Sequence, residues 1–287
     1  MRKGYQKIVD RLVNEMEKGK IPWKKPWHNP MNAVSKRPYR GINYLSLAAA
    51  DYTDPRYLTY LQAKNLGGNV KQGAHGFPVI KWIIPSKEDL QKNPNAKPWL
   101  QCYTVFNVEQ CEGLVKLPAL ISVEHNPLAD AQAIIDNWAG KPVIEIGGFE
   151  AGYNYRKDRI IMPEMGKFMS LEAYYDTFFH ELIHSTGDIT RLDRERAPKS
   201  IKDKYAYEEL IAEIGGAMLC SEAHIDNSSL IENNAAYLQS WLKAVNDDPG
   251  MIVKAANEAA RAVDMILGRN QIQEDLEPDE ESVLQVA

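Results

Sequence analysis

The chain has 287 residues, of which 44% are hydrophobic and 25% are charged, a composition that is usual for a globular protein with a core. No apolar run approaches the roughly 20 residues that a membrane-spanning helix needs, and the first residues do not have the pattern of a signal peptide. We therefore expect a cytoplasmic protein with no membrane partner. The three cysteines form no CxxC pair, which fits a reducing compartment.

The net charge of -5 conceals a strong asymmetry between the two halves of the chain. Residues 1–120 contain 19 Lys and Arg against 9 Asp and Glu, a net charge of +10. Residues 121–287 contain 15 against 30, a net charge of -15. Because the chain is long for a single domain, this asymmetry indicates two modules, the first of which binds a polyanion.

The first half has the pattern of a small α+β domain with an antiparallel sheet. Its predicted elements are helices at residues 5–19, 42–50 and 59–66 and strands at residues 77–84, 100–108 and, more weakly, 113–117. A Pro-containing extended segment covers residues 21–27, and the polar residues 87–98 are predicted to form a long hairpin loop. We place the boundary of this domain at residue 120.

The second half is predicted to combine a short sheet with several helices. Its predicted elements are helices at residues 128–139, 205–220, 228–245 and 251–268, a strand at 143–146, a strand pair at 153–156 and 159–162, and a further helix capped by Ser170. This domain is assigned to residues 121–270. Residues 271–287 are acidic and are predicted to have no fixed fold.

Residues 180–184 have the sequence His-Glu-Leu-Ile-His within an apolar, helix-periodic segment. Residues i and i+4 share one face of a helix, so His180 and His184 point in the same direction. This arrangement is typical of a catalytic zinc site in which Glu181 acts as the general base on a water molecule. The sequence therefore predicts one bound Zn²⁺, and the alternative is a histidine pair that only packs in the core.

The third ligand is expected on the helix at residues 205–220, which carries Glu209 and Glu213 on one face. We assign Glu209 to the metal and Glu213 to the ring N–H of a ligand histidine, and the reverse assignment is left open. Gly215 and Gly216 are unfavourable inside a helix. Their presence predicts close packing of this helix against the helix that carries the two histidines.

Other polar residues of this half give weaker signals. The tyrosines that could stabilise an oxyanion are Tyr153, Tyr155, Tyr205 and Tyr207. A core position is the simpler interpretation for each of them alone. The remaining histidines, which lack ligand spacing and for which we expect surface or capping roles, are His28, His75, His125 and His224.

Basic and aromatic residues are interleaved in the first half, as in proteins that bind single strands through a cationic groove and base stacking. The predicted DNA-binding residues are Trp23, Lys24, Lys25, Trp27, Arg37, Tyr39, Arg40, Asn43, Tyr44 and Lys71. Each tryptophan has the alternative role of packing the first helix against the sheet. The basic cluster as a whole agrees with the positive charge of this half, so we favour nucleic-acid binding.

These motifs resemble the ArdC antirestriction family in both halves of the chain. In the first half, the resemblance rests on residues 21–27 and on Arg-Gly-Ile-Asn-Tyr at residues 40–44. In the second half, it rests on Tyr-Asn-Tyr at residues 153–155, on residues 179–187 and on residues 207–220. Together the matching motifs extend over about residues 5–245.

The resemblance implies a plasmid or mobile-element protein in which a domain that binds single-stranded DNA precedes a zincin-like metallopeptidase domain. Such a protein would protect incoming DNA from host restriction during conjugation, with a host restriction enzyme or another protein as a candidate substrate. One alternative is a cytosolic zinc metallopeptidase whose basic domain recruits its protein substrate. Another is an interaction protein with a structural metal. The oligomeric state is left open.

Overall fold

The computed structural model describes residues 3–23, 29–50, 52–120, 125–194, 203–227 and 235–269. It confirms the predicted α+β class, since helices and short sheets occur in both halves. The predicted tail at residues 271–287 lies outside the described residues. Within the described ranges, no helix is both long and apolar enough to cross a membrane.

The first half begins with a helix and then alternates short strands with short helices. Its elements are α1 (Lys3–Glu17), β1 (Met31–Asn32), α2 (Gly41–Ala48), β2 (Arg56–Thr59), α3 (Tyr60–Asn65), β3 (Asn69–Val70), β4 (Phe77–Ile83), α4 (Lys87–Lys92), β5 (Trp99–Asn107) and β6 (Cys111–Glu112). The main sheet has the order β1-β2-β5-β4. It is antiparallel as predicted, except that β1 runs parallel to β2.

Two secondary-structure predictions for this half are wrong. The segment at residues 87–98 is not a loop throughout, because α4 forms within it. Ser86 Oγ accepts a hydrogen bond from Asp89 N at 3.1 Å, and Asp89 Oδ2 accepts one from Ser86 N at 2.9 Å. This reciprocal cap starts the helix. The strand predicted at residues 113–117 is also absent from the described fold: Gly113 has φ 69°, and Val115 is 83% exposed.

The second half places a small sheet beside a group of longer helices. Its elements are α5 (Pro127–Asn137), β7 (Val143–Ile146), β8 (Gly152–Asn154), β9 (Arg159–Met162), α6 (Leu171–Ser185), α7 (Lys204–Glu222), α8 (Ala235–Asp247) and α9 (Gly250–Ile266). The sheet has the order β7-β9-β8, with β7 parallel and β8 antiparallel to β9. The predicted pair of strands β8 and β9 is therefore confirmed.

A buried apolar cluster extends from the first half into the second. The Trp23 ring is fully buried and lies 5.7 Å from the Trp241 ring of α8, at an angle of 59°. Helix α2 approaches α9 so closely that a Cβ at Gly41 would lie 2.3 Å from Asn257 Oδ1. Helices α1 and α2 consequently pack against the same helical layer that contains α7. The first half thus packs against α8 and α9, and α9 in turn packs against α7.

Candidate metal centre

Helix α6 presents two histidines on one face. It begins where Ser170 Oγ accepts a hydrogen bond from Ala173 N at 3.1 Å, which confirms the predicted N-cap. The Nε2 atoms of His180 and His184 are 3.0 Å apart, and their ring planes cross at 78°. An imidazole binds a metal through a lone pair in the plane of its ring. Two rings that cross in this way can therefore both direct nitrogen atoms at one ion.

Helix α7 places Glu209 opposite the two imidazoles. Its Oε2 lies 3.6 Å from His180 Nε2, and its Oε1 lies 3.7 Å from His184 Nε2. Ligand atoms from these three residues all lie within 4.8 Å of one another. Two neutral nitrogens and one carboxylate fit a hydrolytic zinc site, which leaves one coordination position open. The residues present therefore suit a divalent metal.

Two glycines permit this approach of α7 to α6. A Cβ at Gly215 would lie 2.7 Å from Ile183 Cδ1, closer than side chains can tolerate without a shift. A Cβ at Gly216 would lie 3.3 Å from the backbone nitrogen of His180. The close packing that was predicted from these glycines is confirmed. Larger residues here would push Glu209 away from the histidines.

Glu208 and Arg194 support the outer side of His184, and sequence reasoning did not select either residue. Glu208 Oε1 lies 3.3 Å from His184 Nδ1, so the carboxylate can accept the ring N–H and direct Nε2 towards the centre. Arg194 Nη2 donates to Glu208 Oε1 at 2.7 Å. Burial opposes ionisation of Glu208, but hydrogen bonds from His184 and Arg194 lower its pKa. Glu208 directly precedes Glu209 in the sequence, and this adjacency could have indicated a role at the site. No feature of the sequence points to Arg194.

Glu213 and Glu181 lie around His180. Glu213 Oε1 is 3.6 Å from His180 Nδ1, the position that was predicted for a residue orienting a ligand histidine. The Glu181 side chain is buried, as only 9% of the residue is exposed. Burial opposes protonation of His180, but the nearby carboxylates of Glu209, Glu213 and Glu181 raise its pKa to about 9. The carboxylates around His180 therefore favour a positive charge at this position.

The four tyrosines occupy different positions relative to this centre. Tyr155 Oη is 3.4 Å from His184 Nδ1, on the same side of the ring as Glu208. Tyr153 is turned towards Asp158, to which it donates a hydrogen bond at 2.7 Å. Tyr207 is buried. Tyr205 is 71% exposed, and its hydroxyl donates to the Glu209 carboxylate. Tyr205 thus lies beside the carboxylate of the candidate ligand Glu209 and faces solvent.

A second histidine cluster has a different geometry. The structure brings together His125, Asp130 and His224, although the sequence showed no ligand spacing among them. The two imidazole rings are stacked, with centroids 3.5 Å apart and planes at 18°. A metal ion lies in the plane of the imidazole ring that binds it. Two nearly parallel, stacked rings cannot both have the same ion in their planes, so this arrangement does not present both rings to a shared metal. His75 is exposed, and His28 lies outside the described residues.

The predicted DNA-binding residues are separated by the fold. Trp23 and Tyr44 are buried, with exposures of 0% and 3%, so the prediction that they stack on bases is wrong. Both pack against the second half, a contact that short-range sequence patterns do not reveal. Tyr39 is half-buried, and its hydroxyl accepts a hydrogen bond from Asn32 at 3.3 Å. Lys24, Lys25 and Trp27 lie outside the described residues.

The polar residues of this set are also divided. Asn43 Nδ2 donates to Ile80 O at 2.7 Å, and Asn43 Oδ1 accepts from Ile80 N at 2.8 Å, so this side chain holds β4 instead of facing a ligand. Arg40 forms an ion pair with buried Asp264 on α9. Arg37 and Lys71 are exposed. These two remain accessible to a polyanion.

Comparison with protein families gives a match in each half. Residues 2–106 match the family described as the N-terminal domain of anti-restriction factor ArdC. Residues 129–258 match the family described as zincin-like metallopeptidase. The two matched ranges fall on either side of residue 120, and the second includes all three candidate ligands.

Relatives and solved structures are similar over most of the chain. Two Escherichia coli proteins named DNA primase TraC are 32% and 34% identical over 94% of this chain, which spans 20% and 28% of their lengths. The uncharacterized protein y4eC of Sinorhizobium fredii is 30% identical over 91% of this chain and 90% of its own length.

Among solved structures, the antirestriction ArdC protein from the R388 plasmid is similar in both its metal-free and its Mn(II)-bound form. The metal-free form is 37% identical with a TM-score of 0.73, and the Mn(II)-bound form is 36% identical with a TM-score of 0.74. Each comparison covers 92% of this chain and 97% of the other. The likeness therefore includes both halves and their arrangement.

Proposed function

The chain belongs to the ArdC antirestriction family, and from this membership we propose that it binds single-stranded DNA without sequence preference and protects incoming DNA from host restriction. The observation that carries the proposal is the presence, in one chain, of an ArdC N-terminal domain and a zincin-like domain with a complete donor set. The protein would act in the cytoplasm, on DNA that enters during conjugation.

Electrostatics supports the DNA-binding part of the proposal. The first 120 residues have a net charge of +10, which attracts a polyanion independently of its sequence. Arg37 and Lys71 are exposed on this half. The second half has a net charge of -15 and would repel the same strand. The DNA is therefore expected to follow the first half only.

The donor set supports a divalent metal in the second half, and we propose Zn²⁺ with His180, His184 and Glu209 as its ligands. When bound, such an ion would supply Lewis-acid chemistry for the hydrolysis of a peptide bond. Imidazole nitrogens with a carboxylate also accept other divalent ions, and the similar R388 protein has a Mn(II)-bound form. Metal analysis of the purified protein therefore decides which divalent ion the site binds.

The surrounding residues support a hydrolytic role for this centre. Glu181 would take a proton from the attacking water and return it to the leaving amine. Glu208 would hold the outer nitrogen of His184, which keeps Nε2 directed at the centre. Tyr205, which adjoins Glu209 and is exposed, would turn its hydroxyl away from Glu209 and donate its hydrogen bond to the developing oxyanion. The candidate protein substrate is a host restriction enzyme.

Gel-shift titrations of the purified chain test the DNA-binding part. We expect tighter binding to single strands than to duplexes, little dependence on sequence, and an affinity that falls with salt with a slope of about -0.7 per contacted phosphate. Equal affinity for duplexes, or no binding at low salt, would contradict the proposal. Transfer of unmodified plasmid DNA into a restricting host, with and without the protein, tests protection directly.

Metal analysis tests the second part. We expect one ion per chain, a lower unfolding temperature after chelation, and recovery when zinc is returned. His180→Ala should abolish binding, whereas a His125→Ala, His224→Ala double variant should keep the ion. If the double variant lost the ion and His180→Ala kept it, the metal site would be at His125 and His224 instead.

A Glu181→Gln variant separates antirestriction from proteolysis. If it binds DNA and metal but no longer protects DNA, hydrolysis by the second domain is required. If protection is unchanged, the peptidase chemistry is not needed for antirestriction. Cleavage of a cellular protein without any DNA affinity in the wild type would favour the alternative function, a peptidase whose basic domain recruits its substrate.

A further inference from the structure

The tryptophans of the described residues are divided between the core and one exposed location. Trp23, Trp138 and Trp241 are at most 5% exposed. Trp82 and Trp99 are 40% and 43% exposed, and both lie at the free end of the β4–β5 ribbon. Leaving this much of two large aromatic side chains in water forgoes part of the free energy of their burial. Such a concentration of exposed apolar surface is typical of a binding site.

The strand register places the two tryptophans on opposite faces of the ribbon. Trp82 pairs with Leu100, and Trp99 pairs with Ile83. Directly opposed residues share a face, and successive residues alternate between faces. Each face therefore has one exposed indole near the end of the ribbon. An extended strand that passes around this end can stack bases on both sides.

The segment that joins β4 to β5 supplies positive charge beside these rings. Lys87, Lys92 and Lys97 are all exposed. Of the two acidic residues of the segment, Asp89 is already occupied by its hydrogen bonds with Ser86, and Glu88 remains. The ribbon end thus combines cationic and aromatic groups, which is the combination that non-specific single-strand binding requires.

We propose that the end of the β4–β5 ribbon, formed by Trp82, Trp99 and the three lysines, is the surface on which unpaired bases of single-stranded DNA stack. This inference rests on the proposed function and gives it a location. It replaces the buried Trp23 and Tyr44 as sources of stacking. A single strand is favoured over a protein partner because the positive charge of the whole half complements phosphate. Stacking on indole tolerates every base, so no sequence preference is expected.

Intrinsic fluorescence of the full chain gives a direct test. Titration with oligothymidylate of about 20 nucleotides should quench the exposed indoles of the wild type as bases stack on them. Trp82→Ala and Trp99→Ala should each weaken binding about fivefold or more, and the double variant should lose most of the affinity. Phe149→Ala removes a 97% exposed aromatic ring from the acidic half and serves as the matched control, with no change expected.

Further variants separate stacking from folding. Trp82→Phe with Trp99→Phe retains aromatic faces and should retain most of the affinity, even if the alanine variants fold poorly. Replacing Lys87, Lys92 and Lys97 with Gln should reduce the salt slope by about 0.7 for each phosphate that these lysines neutralise. An unchanged salt slope together with unchanged affinity in the Trp variants would overturn the location.

The binding experiments give different results if the proposed function is wrong and if only this location is wrong. If the wild type does not bind the oligonucleotide at all, the proposed function fails. If the wild type binds and the folded double alanine variant binds equally well, only the location fails. If the double variant changes the sedimentation of the free protein but not its DNA affinity, the surface is an interface between copies of the chain.

Discussion

Glu208 and His184 lie side by side at the centre, with Glu208 Oε1 3.3 Å from His184 Nδ1. The carboxylate is fixed from its other side by Arg194, which also donates to Ile183 O at 2.8 Å. The side chain of Arg194 is only 4% exposed. These hydrogen bonds connect the outer nitrogen of a candidate ligand to the backbone of the helix that carries it.

Glu208→Gln should weaken metal binding by about ten- to a hundredfold, because the neutral amide is a poorer acceptor for the ring N–H of His184. Competition with a chromophoric chelator measures this affinity. Glu150→Gln, which changes an exposed acid of the same half, is the matched control and should bind as the wild type does. An unchanged affinity for folded Glu208→Gln would show that the carboxylate does not orient the ligand.

Gly216→Ala should lower both stability and metal affinity. The new Cβ would lie 3.3 Å from His180 N, so α7 must move away from α6 by a few tenths of an ångström, and Glu209 moves with it. The matched control is Gly166→Ala, where a Cβ would meet nothing within 4 Å. Thermal unfolding and metal titration report the two effects. Equal behaviour of the two variants would mean that the helix spacing is not restrictive.

Arg40→Ala should destabilise the protein more than it weakens DNA binding. Its partner Asp264 is 3% exposed, and removal of one member of a buried ion pair typically costs about 3–5 kcal/mol. Because the Arg40 side chain is itself 30% exposed, we expect the lower part of this range. Denaturant unfolding measures the change.

Arg37→Ala serves as the counterpart of Arg40→Ala from the same segment. Arg37 is exposed, so its loss should leave the free energy of unfolding nearly unchanged and should weaken single-strand binding. The opposite pattern, with stability lost at Arg37 and DNA affinity lost at Arg40, would contradict both assignments.

Glu109 should stabilise the first half in a pH-dependent manner. Partial burial opposes its ionisation, but hydrogen bonds from Asp54 N and from Thr53 lower its pKa below the ordinary value of 4.5. Thr53 Oγ1 and Asp54 N each donate to Glu109 Oε1 at 2.7 Å. Because the folded pKa is depressed, the contribution is fully present above the unfolded pKa and is lost as pH falls through the folded pKa.

Glu109→Gln should therefore be less stable than the wild type at pH 7, by on the order of 1 kcal/mol after allowance for solvent screening. The difference should shrink as pH falls below about 4.5 and through the lower pKa of the folded wild-type carboxylate, which then also becomes neutral. Denaturant unfolding at several pH values measures it. A difference that stays constant down to about pH 3 would exclude the charge as its source.

Much of the site was predictable because it depends on local periodicity. The spacing of His180 and His184 places both rings on one helix face, and the same i, i+4 rule relates Glu209 to Glu213. The glycine pair on α7 correctly indicated a close helix contact. Glu208 was missed because its role depends on the relative rotation of two packed helices, which local patterns do not contain.

The first half shows the limit of sequence patterns more clearly. Trp23 and Tyr44 lie in an aromatic and basic segment that is typical of a DNA-binding surface, yet both are buried against the helices of the second half. Trp82 lies within the strand predicted at residues 77–84, and Trp99 directly precedes the strand predicted at residues 100–108. Whether an aromatic ring is exposed depends on which other segment packs against it. That segment is distant in sequence, so local patterns do not reveal it.

The sequence alone determined the α+β class, the helix that carries His180 and His184, and the charge difference between the halves, because these follow from composition and from the fixed periods of helix and strand. The tertiary structure decided which charged groups pair and which aromatic rings are exposed. Arg40 is held by Asp264, more than 200 residues later in the chain. Burial and ion pairing are properties of contacts between distant segments, and they arise only when the two halves pack together.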